Sequence, residues 1–137
     1  MGTAITVQAT VNAPIAKVWE YWNKPEHIMQ WANASADWHA PYADNDLRIG
    51  GKFKTTMAAK DGSFSFDFEG IYTHIDDQNL IEYTIADGRT VKISFIDTGS
   101  SIKIIETFEA EDINAIEMQR GGWQAILDNF KKHTEGH

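Results

Sequence analysis

Phe64-Ser65-Phe66-Asp67-Phe68-Glu69-Gly70-Ile71-Tyr72-Thr73-His74 is the stretch that decides the fold. Over residues 63–75, Phe64, Phe66, Phe68, Gly70, Tyr72 and His74 fall on one face, and Ser65, Asp67, Glu69, Ile71 and Thr73 on the other. Alternation with period two marks a half-buried strand, and the aromatic face must point inward. The runs that follow repeat the pattern with Ile81, Tyr83 and Ile85, then Val91, Ile93 and Phe95, then Ile102, Ile104 and Phe108. Turn signals at Asp61-Gly62, Asp76-Asp77-Gln78-Asn79, Asp87-Gly88 and Asp97-Thr98-Gly99-Ser100 divide residues 52–109 into five strands. Their simplest layout is one strongly curved antiparallel sheet.

Working outward, Ile5, Val7, Ala9 and Val11 alternate along a first strand, which stops at Asn12-Ala13-Pro14. Pro14 suits the first turn of a helix, and Ile15, Val18, Trp19 and Trp22 follow at helical spacing. Asn23-Lys24-Pro25 opens a second short helix carrying Ile28 and Trp31. Residues 32–46 read as the longest loop, with Trp38 in it, and Leu47 to Ile49 as a short strand ending at a turn or bulge at Gly50-Gly51. From Asp112 to Thr134, the residues Ile116, Trp123, Ile126, Leu127 and Phe130 form an apolar stripe at helical spacing. Lys131, Lys132 and His133 complement the dipole of its last turn, and Gly136 supplies a stop. The expected class is α+β: a curved six- to seven-stranded antiparallel sheet wrapped around a long C-terminal helix, with two short helices after the first strand, in a single domain spanning 1–137.

Composition narrows the function classes. The 137 residues carry 12 Lys plus Arg against 20 Asp plus Glu, a formal charge of -8, which repels phosphate backbones and argues against nucleic-acid binding. With no cysteine, a disulfide framework, a cysteine zinc site and a thiol nucleophile are excluded. The opening Met1-Gly2-Thr3-Ala4-Ile5-Thr6 has no basic region before an apolar one, and no stretch approaches 18 apolar residues, so membrane insertion is not expected and a cytoplasmic location is. Phosphate-binding glycine loops, nucleophile elbows and His-Glu-x-x-His zinc motifs are missing, and Asp44-Asn45-Asp46 lacks the Gly and Glu of a calcium loop. Asp37-x-His39 is the one close acid–imidazole pair. No metal, cofactor or catalytic residue is called for.

Twelve percent aromatic residues, with five Trp, is the compositional feature that most needs explaining. A Trp or Phe stripe is commonly core, yet Gly70 deletes a side chain on the inward face, which either leaves room for a ligand or marks a bulge that helps the sheet curl. A dry void of roughly 300 Å³ would cost about 7 kcal/mol at ~24 cal/mol per Å³, severe against a total stability of ~5–15 kcal/mol. Such a pocket would hold water or ligand, or be closed by the helix and the 32–46 loop. Three polar residues share the interior phase. Gln119 reads as a ligand hydrogen-bonder or, the plainer choice, a residue snorkelling near the helix start. His74 ends the aromatic face, where a solvated role is the plainer one. Glu106 lies between Ile104 and Phe108, but the doublet Ile104-Ile105 hints at a bulge that would turn it outward, and the two readings stand level. Gly121-Gly122 costs roughly 2 kcal/mol relative to two alanines, which points either to a kink beside a ligand mouth or, the favoured choice, to close approach by the short helices.

With this layout the chain resembles the START-like, helix-grip superfamily, and within it bacterial proteins similar to the C-terminal domain of the activator of Hsp90 ATPase. The residues that carry the likeness are Asn12-Ala13-Pro14 with Val18-Trp19 and Trp22, Pro25 and Trp31, Asp46-x-Arg48-x-Gly50-Gly51-x-Phe53, Asp61-Gly62, Phe68-Glu69-Gly70, and Gly122-Trp123-x-x-x-Leu127, covering Ile5 to Glu135. The resemblance implies a hydrophobic cavity between sheet and helix that in relatives accepts lipids, polyketides or other apolar molecules, and it implies no universal catalytic residue. Some relatives are cyclases or hydrolases, some bind without transforming, and the namesake domain is a cochaperone.

The first expectation is therefore a small-molecule binder. Its ligand-binding set comprises Phe53, Phe66, Phe68, Tyr72, Tyr83, Phe95, Trp123, Ile126 and Leu127 as walls. Trp31 and Trp38 stand near the mouth, and Glu106 and Gln119 serve as polar anchors. The second is an interaction protein acting on an Hsp90-type chaperone, and the third an enzyme on an apolar substrate using Glu106 or His74. Arg48 reads as a structural partner of the Asp46 neighbourhood.

Overall fold

The computed structural model describes residues 3–137; Met1 and Gly2, at the head of the leaderless reading, lie outside them. Seven strands and three helices follow in the order β1 (Ala4–Val11), α1 (Ile15–Asn23), α2 (Pro25–Trp31), β2 (Trp38–Asn45), β3 (Lys52–Ala59), β4 (Ser65–Asp76), β5 (Leu80–Ile85), β6 (Thr90–Asp97), β7 (Ile102–Glu109) and α3 (Ile116–Gly136). The strands form one antiparallel sheet ordered β1-β7-β6-β5-β4-β3-β2. The sheet curls around α3, which packs against β1 and against α1 and α2. This is the α+β helix-grip arrangement.

The inward phases of β5, β6 and β7 hold: Ile81, Tyr83, Ile85, Val91, Ile93, Phe95, Ile102, Ile104 and Phe108 are all buried. Ile5, Val7 and Val11 close the core from β1, and Leu127 and Phe130 from α3. Burial of each such side chain contributes roughly 1.5–3 kcal/mol, so these faces and not local propensity hold the sheet to the helix.

Four expectations are corrected. The 32–46 loop contains strand β2, paired to β3 from Trp38↔Ala59 to Asn45↔Phe53 with a register shift between His39 and Tyr42. Pro41 sits inside that irregularity; an edge strand that bulges where proline lacks its N–H shows no clean alternation. Leu47 to Ile49 is no strand. The Arg48 amide donates to the Asp46 carbonyl at 2.9 Å and the Gly51 amide to the Arg48 carbonyl at 2.8 Å, closing a turn in which Gly50 has φ +84°. Arg48 Nε also donates to Asp46 Oδ2 at 2.8 Å, the structural role expected of it. On β4 the register shifts between Tyr72 and His74, so the inward face ends at Tyr72 and Ile75 packs on the core in place of His74, which is exposed as its plainer, solvated reading had it. Finally, α3 starts at Ile116, because residues 111–115 fold back onto Gln119, and it runs through Gly136, which does not stop it.

Candidate functional site

Between the concave face and α3 lies a cavity of about 470 Å³. The sheet builds its far wall. On β3, Phe53, Thr55 and Met57 point inward in period two, and β4 adds Phe66, Phe68 and Tyr72. Tyr83 of β5 and Glu106 of β7 complete this side. From α3, Gln119, Trp123, Ile126 and Leu127 line the opposite wall, and Trp31 of α2 and Trp38 of β2 stand at the flank. Exposed lining residues, Ala34, Ser35, Phe66 and Met118, mark the opening.

Twelve of the thirteen residues expected in a binding set thus line one cavity, and Phe95 does not. Its ring meets Trp19 edge-on at 5.3 Å and Trp22 at 5.6 Å, because α1 covers that end of the sheet. Trp31 is 7% exposed and is a wall rather than a mouth residue; its indole N–H donates to the Tyr21 carbonyl at 3.0 Å. Trp38 does stand at the opening, edge-on to Phe64 and Phe66, which are themselves exposed.

Aromatic contacts make the walls rigid. Trp123 lies flat on Phe108 with ring centres 3.8 Å apart and planes 8° from parallel, and Phe68 meets it edge-on. Phe53 packs edge-on to Tyr83 at 4.7 Å and fills the space above Gly70. A Cβ on Gly70 would sit 2.6 Å from the Thr84 carbonyl oxygen and 2.9 Å from the Phe53 ring. The missing side chain therefore makes room for Phe53, neither for a ligand nor for a bulge. Tyr72 is fixed by donating its hydroxyl to Asn45 Oδ1 at 2.5 Å, while Asn45 Nδ2 donates to the Asn23 carbonyl. Burial raises the phenols of both Tyr72 and Tyr83 above the ordinary tyrosine value, so both are neutral donors at neutral pH.

Glu106 is 6% exposed and points inward. The bulge suggested by Ile104-Ile105 is absent, since β7 pairs in continuous register with both neighbours. Burial raises its carboxyl to about 8, and no hydrogen bond or cation from the described residues offsets that rise. Gln119 has a different employment from either reading. Its Oε1 accepts from the Glu111 amide at 2.9 Å and its Nε2 donates to the Asn114 carbonyl at 2.8 Å, stapling the 111–115 loop to α3. A Cβ at Gly121 or Gly122 would meet nothing within 4 Å, so close approach by the short helices does not explain them; Gly122 borders the cavity.

Sequence reasoning missed Thr55, Met57, Asn45 and Arg89 among the lining residues. Thr55 and Met57 carried a usable signal, the period-two continuation from Phe53. Arg89 carried none, since it enters from the β5–β6 turn, where Asp87 accepts from its Nε and the Glu109 carbonyl from its guanidinium. Among the described residues no group of three or more His, Cys, Asp or Glu converges as metal ligands. Among the described residues, too, no helix is long and apolar enough to cross a membrane.

A curled antiparallel sheet closed by a C-terminal helix over an apolar cavity defines a START-like, helix-grip protein. The chain belongs to the family described as "Activator of Hsp90 ATPase homolog 1-like protein", whose family model matches residues 12–135. It is similar to the solution structure of an AHSA1-like protein from Aeromonas hydrophila, at 40% identity over 98% of this chain and 93% of that one, with a TM-score of 0.91. A protein of Cytophaga hutchinsonii is 57% identical over 96% of this chain and 92% of its own, with a TM-score of 0.84. A Nitrosomonas europaea protein at 18% identity, covering 97% of this chain and 94% of its own with a TM-score of 0.83, shares the fold. Comparison with curated proteins finds no match.

Proposed function

We infer that this protein binds a small hydrophobic molecule, of lipid, polyketide or aromatic type, in the cavity between sheet and α3. The observation that carries this is the cavity itself: about 470 Å³ walled by aromatic and aliphatic side chains, within the ~300–1,000 Å³ range of small-molecule sites. At ~24 cal/mol per Å³ a dry void of this volume would cost about 11 kcal/mol, comparable to the whole stability of a small domain. The walls offer water few partners, so an apolar guest is the better filler. The reading places the protein in the cytoplasm, in keeping with a chain that has no cysteine.

Thermal unfolding in the presence of fatty acids, sterols and flat aromatic compounds tests the reading. A ligand at 100 times its Kd stabilises by about 2.7 kcal/mol. Gly122→Phe, which places a ring in the open space at the cavity wall, should abolish that shift without lowering the basal melting temperature. A shift that persists in the variant contradicts a cavity site.

A second reading, action on an Hsp90-type ATPase, is supported by the family's description alone. Stimulation of a bacterial Hsp90 ATPase that survives Gly122→Phe would favour it over the pocket.

A further inference from the structure

The ionisable groups around the cavity are unevenly matched. Three carboxyls line it, from Glu106 inside and from Asp44 and Glu111 at its edge, against the single guanidinium of Arg89. That guanidinium is held at the β5–β6 turn, where Asp87 Oδ2 accepts from its Nε at 2.8 Å and the Glu109 carbonyl from Nη1 at 3.1 Å, and it makes no hydrogen bond to Glu106. Glu111 is engaged too, accepting the Asn114 backbone amide at 2.8 Å. Glu106 alone is deeply buried, faces the guest space, and receives neither hydrogen bond nor cation from the described residues. Its partners across the sheet are apolar, Val7 on β1 and Ile93 on β6; Tyr83, Gln119 and Trp123 line the same cavity as neutral groups, and the charged groups that share it are Arg89, Asp44 and Glu111.

A buried acid without a partner is costly, and natural interiors pair such groups. The missing partner is a donor, and the surroundings favour a charged one. Phe53, Tyr83 and Trp123 line the same cavity and supply aromatic rings of the kind that attract cations, and a chain of net charge -8 enriches cations at its surface. We propose that the cavity takes an organic cation, an apolar molecule carrying one basic nitrogen, whose ammonium hydrogen-bonds to the Glu106 carboxylate. This rests on the reading of the cavity as a ligand pocket and names the class of guest. Near neutral pH the empty site holds a protonated carboxyl, so binding of the ammonium form displaces the Glu106 proton to solvent: one O–H bond breaks, one ion pair forms, and the nitrogen keeps its own proton.

Isothermal titration of the full chain with 4-phenylbutylamine and 4-phenylbutan-1-ol, equal in length and differing in the head group, tests this. At pH 8.5 the amine is expected to bind at least tenfold more tightly than the alcohol. At pH 7, titration in buffers of different ionisation heat should show close to one proton released per amine bound and none per alcohol. Glu106→Gln should bring the amine down to the affinity of the alcohol. Equal affinity of the two probes in the wild-type protein, absence of proton release, or a preference that survives Glu106→Gln overturns the proposal, the last by pointing to the edge acids. The proton count needs no variant, so a folding defect in Glu106→Gln leaves the test standing. If other apolar compounds bind and neither probe does, the guest class is wrong and the pocket reading stands. If nothing apolar binds, both fail.

Discussion

Phe53 and Gly70 face each other across β3 and β4, and the Phe53 ring occupies the volume that a side chain at position 70 would take. The pair is an aromatic covering a strand glycine, which keeps the β3–β4 ribbon close enough to curl. Gly70→Ala forces the new methyl against both the ring and the Thr84 carbonyl, so it should destabilise by about 1–3 kcal/mol, the usual range for overpacking. Urea unfolding measures this. Because the Thr84 contact is backbone, trimming Phe53 to Leu in the same chain should recover only part of the loss.

Glu106 sets a pH dependence whose sign is fixed by its raised carboxyl. In the unfolded chain the group ionises near 4.5 and in the folded protein near 8. Between those values the folded state holds a proton the unfolded state has lost, so stability falls as pH rises from 4.5 to 8. At pH 7 the accumulated cost is about 3 kcal/mol, taking ~1.36 kcal/mol per unit. Glu106→Gln should therefore match the wild-type protein near pH 4 and exceed it at pH 7 by that order. Paired urea curves at the two pH values check it, and a difference that does not grow with pH would show that the carboxyl ionises freely in the cavity.

The opposite dependence is expected where α2 meets the end of α3. His27 and His133 share a ring-to-ring hydrogen bond of 2.8 Å, and the His137 Nδ1–H donates to the His133 backbone carbonyl at 2.7 Å. Burial, His137, His27 and Lys17 all hold the His133 imidazole below its ordinary value. The unfolded chain then takes up the proton first as pH falls through about 6.5, so the folded state loses stability below that point. Substituting His133 by Asn should flatten this acid-side loss, measured as the change in urea midpoint between pH 7.5 and 5.5.

Gly121 is a helix-interior glycine on the exposed side with open space where a Cβ would go. Gly121→Ala should stabilise by ~1 kcal/mol through helix propensity alone. Trp123 behaves differently: truncation to Ala removes the stack on Phe108 and a cavity wall together. A loss of about 2–3 kcal/mol is expected, below the ~3–5 kcal/mol of a fully buried Trp because the ring is only half-buried. Thermal melts of the two variants separate the effects by sign.

Most of the sheet and the long helix were legible because their residues obey one period each. Ile102, Ile104 and Phe108 face a core that tolerates no phase error, and Leu127 and Phe130 fix the face of α3. Strand β2 was not legible. It pairs on one side only and bulges around Pro41, and an edge strand with one solvated margin has no need of an alternating face. For the cavity, period two told which residues point inward but not what covers them. Phe95 and Tyr83 share an inward phase, yet α1 brings Trp19 and Trp22 over the first and leaves the second open. Gln119 shows the same limit, since its partners are loop backbone atoms whose positions depend on where residues 111–115 turn.

A two-dimensional amide NMR titration with fatty acids, sterols, flavonoids and polyketide-like aromatics, following the Trp indole signals as well, tests the pocket most directly. Saturable shifts confined to the inward faces of β3 to β7 and to residues 116–130, and lost in Gly122→Phe, are the predicted result. Signals from Tyr83, Glu106 and Trp123 that stay fixed with every compound would contradict it.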